Sequence, residues 1–135
     1  MATRIETILS KLVQPDQTGF MKERYISENL RLISDVLEYT KNEDLTGVLV
    51  SLDFRKAFDT LEWPFIESVV NLFNFGESVK RWIGIFYTDV EGVVLNNRFA
   101  TNWLTPTRGV RQGCLLSPYL FILGAGILSN KIRQS

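Results

Sequence analysis

The 135-residue chain contains no histidine and one cysteine, Cys114. Without histidine there is no imidazole base, no His-centred triad and no His-ligated zinc, so any chemistry must come from carboxylates, Lys, Arg and hydroxyls. A single cysteine cannot close an internal disulfide. Net charge is absent too: 15 Lys and Arg balance 15 Asp and Glu. A chain that grips a phosphate backbone usually carries a basic surplus, so any such role here must come from local placement. Long apolar runs are also missing. The most apolar stretch, Leu115 to Leu128, is interrupted by Ser117 and Pro118 and falls short of the roughly 20 residues that span a bilayer. The start, MATRIETILSKLV, places Glu6 among its apolar residues and has no cleavage-like site. These features predict an intracellular protein, nuclear or cytoplasmic, not secreted and without a membrane partner.

What is present is a globular composition, 45% hydrophobic and 12% aromatic, of the size of one domain or part of one. Ile5, Ile8, Leu9, Leu12 and Val13 recur at helical spacing, and Pro15 closes that segment. A second helix is predicted from about Ile26 to Tyr39, with Ile26, Leu30, Ile33 and Leu37 as its apolar stripe. Val48 to Phe54 has the composition of a buried strand. Pro64 suits the first residue of a third helix, which Gly76 ends, and a fourth is expected from about Ser78 to Thr88. Asn96 and Asn97 mark a hairpin turn. After the loop TPTRGVRQGC, Ser117 as N-cap and Pro118 as first residue open a closing helix that runs to about Arg133. The pattern is α+β, with helices packed on a small antiparallel sheet.

Two places carry candidate chemistry. Asp53 stands at the carboxyl end of the predicted strand, where ligand sites of layered α/β folds gather. A carboxylate there can share Mg²⁺ with substrate phosphates and water, or simply cap or solvate the strand end, and position alone favours the second reading. Asp59, six residues on, either comes near the same face through a short helical turn or caps the helix containing Trp63, with the cap the favoured reading, and Phe58 reads as core. RGVRQG, Arg108 to Gly113, joins two guanidinium groups, an amide and two glycines, a set suited to a nucleotide or phosphate but also common in solvated turns. Neither GxxxxGK[ST] nor GxGxxG occurs.

SLDFRKAFDTLEW, followed roughly fifty residues later by TPTRGVRQGCLLSPYLF, resembles motifs A and B of reverse transcriptases of the non-LTR, LINE-type retrotransposons. Upstream, QPDQTGFMKERYISENLRLI resembles the segment that precedes them in that family. The resemblance implies one partial reverse transcriptase domain over residues 1–135, a fingers and palm slice of a right-hand polymerase. It implies RNA-directed DNA polymerisation in the parent protein, with an RNA template, a DNA primer, deoxynucleoside triphosphates and Mg²⁺. By the same resemblance Asp53 is the metal ligand. The backbone at Phe54 and Arg55 lies beside the incoming triphosphate, and Phe58 excludes a 2′-hydroxyl. Gln112 and Gly113 touch the incoming nucleotide and template base, while Arg24, Arg108 and Arg111 contact nucleic acid. Two positions depart from the family pattern: Leu115 stands where Pro is usual, and Glu23 where Gly is usual. The family's double-aspartate motif, its upstream fingers motif and its thumb do not occur in this sequence, so the chain is expected to be inactive alone. The alternative expectation is a non-catalytic remnant that binds nucleic acid or protein.

Overall fold

A computed structural model describes residues 1–134. Five helices and one hairpin follow in the order α1 (Ala2–Leu12), α2 (Ile26–Asn42), α3 (Trp63–Leu72), α4 (Glu77–Tyr87), β1 (Leu95–Asn96), β2 (Phe99–Ala100) and α5 (Ser117–Arg133). The class is α+β.

The core is built around α5, whose sequence SPYLFILGAGIL is apolar on more than one face and therefore suits a helix covered from two sides. α1 packs on it through Ile5 and Leu9, and α3 through Ile66, Val69 and Val70, while α4 joins through Ile83 against α3. Ile122 and Leu123 of α5 are wholly buried. Each such side chain contributes on the order of 1.5–3 kcal/mol on burial. Val110 and Leu116 belong to the same core, so the loop between the hairpin and α5 is anchored at both ends. Between α1 and α5, burial and the neighbouring Glu6 carboxylate hold the Tyr119 phenol above its ordinary pKa.

Four expectations from the sequence are corrected. Val48 to Phe54 forms no strand; it is extended, unpaired backbone, with Val48 90% exposed and Leu52 72% exposed. A strand exists only with a neighbour to receive its N–H and C=O groups. Among the described residues β1 and β2 pair only with each other. Second, α2 forms as predicted and runs three residues further, yet Ile26, Leu30, Ile33 and Leu37 are all exposed. Its stripe is real, but α2 packs on no other helix or strand among the described residues. Third, the hairpin turn lies at Asn97–Arg98, one residue beyond the predicted pair, with Leu95 opposite Ala100 and Asn96 opposite Phe99. Both turn residues have positive φ, 48° and 69°, as a type I′ turn requires. Fourth, Gly76 does not end α3, which stops at Leu72, but stands at the N-cap of α4.

The segment between α1 and α2 is held by Arg24. Its guanidinium donates to the carbonyls of Gln14 at 2.6 Å and Gln17 at 2.7 Å, with a longer contact of 3.5 Å to Ser10. These are the carbonyls that the end of α1 and the following turn leave without helical partners. Glu23, immediately before it, is forced to φ +62°. A residue with a Cβ is strained in that region, and the usual family residue there, Gly, is not. Glu23→Gly is therefore expected to stabilise the chain by about 1 kcal/mol, read as a higher urea midpoint at unchanged m-value.

Candidate functional site

The loop before α5 and the turn before α3 are laced together through backbone. Gly109 N–H donates to the Leu61 carbonyl at 2.7 Å and Val110 N–H to the Phe58 carbonyl at 2.8 Å, while Glu62 and Arg108 form an antiparallel bridge. The Trp63 indole N–H closes the set on the Gly109 carbonyl at 2.8 Å. Gly109 lies at φ +94°, and a Cβ there would stand 3.2 Å from the Asp59 carbonyl oxygen. Only glycine lets the two chains approach this closely. This clamp uses main chain for most of its bonds, which is why SLDFRKAFDTLEW and RGVRQG end up side by side although some fifty residues separate them.

On one side of the clamp, Phe58, Arg111, Gln112 and Gly113 line a cavity of about 580 Å³ together with Phe20 and Pro118. Phe58 sits between two other rings: Phe20 at 6.3 Å and Phe121 at 5.7 Å, both edge-on. Its ring is fixed by neighbours rather than free to rotate away. Gly113, at φ +81°, takes the left-handed place in the turn that Cys114 N–H closes on the Arg111 carbonyl at 3.2 Å. The same carbonyl receives the Ser117 hydroxyl at 2.7 Å. This corrects the predicted capping: Leu116 is the N-cap, Ser117 and Pro118 are the first two helical residues, and the buried hydroxyl braces the loop instead. Leu115, where the family usually has Pro, is 79% exposed and takes no part in the core.

On the other side, Arg108 and Arg111 line a second cavity of about 240 Å³ with Asp59, Trp63 and Tyr87. Tyr87 stacks on Trp63 at 5.5 Å, and its phenol is pushed up to about 12 by burial and by Cys114, against the opposing pull of Arg111. Tyr87 therefore stays protonated, a hydrogen-bond donor, throughout the physiological range.

The remaining predicted residues lie apart from these two cavities. Phe54 turns to a separate apolar cavity of about 390 Å³, where it meets Phe121 edge-on at 5.4 Å. Asp53, just before it, is exposed and makes no hydrogen bond or ion pair among the described residues, and Arg55 is exposed in the following turn. Arg24 is on the far segment described above, its guanidinium already engaged with main-chain carbonyls. Asp59 does not cap a helix: α3 starts four residues later and has no side-chain cap, and the Asp59 carboxylate instead accepts from Gln112 Nε2 at 3.3 Å. Sequence reasoning missed Trp63, Leu61 and Phe121 as parts of the site. Leu61 and Trp63 lie within SLDFRKAFDTLEW, Phe121 within TPTRGVRQGCLLSPYLF and Phe20 within the DQTGF segment, so place in a quoted motif was the signal available for each.

No group of three His, Cys, Asp or Glu converges among the described residues to hold a metal ion unaided. Asp53 supplies one hard oxygen donor free of competing partners, which suits one ligand position of a dication that takes its other ligands from phosphates and water.

A family model described as "Reverse transcriptase (RNA-dependent DNA polymerase)" matches residues 1–135. The chain belongs to the reverse transcriptase family. Its kind is that of the non-LTR, LINE-type elements. It is 32% identical over 123 residues to the "Transposon TX1 uncharacterized 149 kDa protein" of Xenopus laevis, a match that covers 91% of this chain and 9% of that protein. It is 31% identical over 93 residues to a Pol polyprotein from the type-1 retrotransposable element R2 of Popillia japonica, covering 69% of this chain and 15% of the relative. The R2DM Pol polyprotein of Drosophila melanogaster is 27% identical over 124 residues, 91% of this chain and 11% of the relative. The chain thus spans only a small part of the length of these relatives. No helix among the described residues is long and apolar enough to cross a membrane.

Proposed function

We propose that this chain is the nucleotide-selecting segment of an RNA-directed DNA polymerase, which extends a DNA primer on an RNA template with deoxynucleoside triphosphates. The observation that carries this reading is the clamp, which sets Phe58 of one motif and Gln112 and Gly113 of the other on the walls of one cavity. A flat apolar ring and a polar amide lining one cavity are what a nucleotide needs for its sugar and its base edge. Phe58, wedged between Phe20 and Phe121, meets the sugar and leaves no room for a 2′-hydroxyl. Asp53 is one ligand of Mg²⁺, and the backbone at Phe54 and Arg55 lies beside the triphosphate. When bound, the metal supplies charge stabilisation at the transferring phosphoryl group. Arg108 and Arg111, which share the second cavity, hold the template backbone. Arg24 acts differently from its two fellow arginines, since its donors are spent on carbonyls.

The test is RNA-templated primer extension by a polymerase carrying this segment, with deoxy- and ribonucleotides compared. Phe58→Val is expected to raise ribonucleotide use relative to deoxynucleotide by at least about tenfold, the scale of discrimination by a small steric difference in a pocket. An unchanged ratio, or the absence of any RNA-templated extension by the wild type, would count against the reading.

A further inference from the structure

We infer that Asp59 is a positioning residue that fixes which end of the Gln112 amide faces the ligand cavity; this rests on the nucleotide reading of that cavity. Gln112 Nε2 lies 3.3 Å from Asp59 Oδ1. A carboxylate accepts and does not donate, so the amide nitrogen is the end that must turn toward Asp59, and Oε1 is left at the opposite end. Without that partner the two ends of a glutamine amide are nearly equivalent in shape, and an exposed Gln112 samples both.

The acceptor is itself held in place. Asp59 N–H donates to the Lys56 carbonyl at 2.9 Å, and the main chain of Asp59 backs directly onto Gly109. The carboxylate is free for this role because no helix uses it as a cap. Gln112 in turn sits in the tight turn whose geometry Gly113 and the Ser117 hydroxyl maintain, so both partners of the bond stand on braced backbone.

The consequence is a polarity for the cavity wall. With Nε2 turned to Asp59, Oε1 is the end left for the cavity that Gln112 and Phe58 both line, where it accepts from a hydroxyl or N–H of the ligand and repels a phosphate oxygen. The sugar and base end of a nucleotide therefore belongs against Gln112 and Phe58, and its phosphates belong elsewhere. Asp59 would select orientation without touching the ligand.

The experiment uses the 135-residue chain labelled with ¹⁵N, and reads the Gln112 side-chain NH₂ pair with and without thymidine triphosphate and Ca²⁺. In the wild type the two protons are expected at distinct shifts, one displaced by the carboxylate. Asp59→Asn, whose amide can accept from Nε2 or donate to Oε1, lets Gln112 pair either way round and gives an intermediate pattern, while Asp59→Ala collapses the separation toward the free-amide pattern with the backbone spectrum otherwise unchanged. Nucleotide affinity follows the same order: Asp59→Ala weakens binding about five- to tenfold, the worth of one hydrogen bond, and Asp59→Asn by an intermediate factor. Identical NH₂ patterns in wild type and Asp59→Ala overturn the inference, as do equal affinities. If the NH₂ pattern obeys the prediction but no variant binds nucleotide, the positioning by Asp59 stands and the nucleotide reading of the cavity fails.

Discussion

Asp53→Asn in a polymerase carrying this segment is expected to lower single-turnover incorporation by more than about a hundredfold while leaving the melting temperature unchanged. The two halves of that expectation have separate causes. Asp53 is exposed and unpaired, so removing its charge disturbs no hydrogen bond of the fold, and surface changes of this kind stay within about 0.5 kcal/mol. Asparagine keeps the shape and one oxygen but loses the negative charge that holds a hard dication. Loss of an outer-sphere partner of a metal ligand already costs about 10- to 100-fold, and a direct ligand costs more. Rapid-quench extension alongside thermal melts separates the two: a matching fall in both would make Asp53 structural, and full activity would remove it from the metal site.

Gly109→Ala is expected to have the largest effect on stability of any change near the cavity, about 2–4 kcal/mol. One contribution is the backbone: at φ +94° an alanine is strained by about 1–3 kcal/mol. The other is contact, since the new methyl would meet the Asp59 carbonyl oxygen at 3.2 Å and the Asp59 Cα at 3.4 Å, main-chain atoms that cannot rotate aside. Relief requires the two strands of the clamp to part, which weakens the Gly109-to-Leu61 bond and the Trp63 bond together. Against a typical total of 5–15 kcal/mol this is a substantial share. Gly76→Ala is the control, because its φ is −61° and a Cβ there meets nothing within 4 Å. Urea unfolding of the two variants should differ clearly, with Gly76→Ala near the wild type.

The helices were legible because their apolar spacing is a local property: Ile5 and Leu9, or Ile66, Val69 and Val70, announce both the helix and its buried face. α2 shows where that inference stops. Periodicity reports that a helix has an apolar side, whereas burial depends on what lies against it, and nothing in Ile26 to Asn42 encodes a neighbour. The Val48–Phe54 segment fails for the same reason in sharper form, since a helix bonds to itself and a strand cannot. In the candidate site, Phe58 and Gln112, which line one cavity, both stand in the motifs read from the sequence, whereas Asp53, singled out in the same way, lies apart from it. The clamp that assembles Phe58 and Gln112 was not legible, because most of its bonds are between main-chain groups that leave no residue signature beyond a glycine. Asp59 was misread as a cap because a carboxylate shortly before a helix usually is one, and its true partner lies 53 residues away.

Amide hydrogen exchange of the chain tests most directly whether the two motifs are joined as described. The Gly109 and Val110 amides, bonded to Leu61 and Phe58, should exchange slowly, alongside those of the α5 core around Ile122 and Leu123. Val48 to Leu52, exposed and unpaired, should exchange at nearly the rate of an unfolded chain. Fast exchange at Gly109 and Val110 while α5 stays protected would mean that the clamp does not hold, and would contradict the site built upon it.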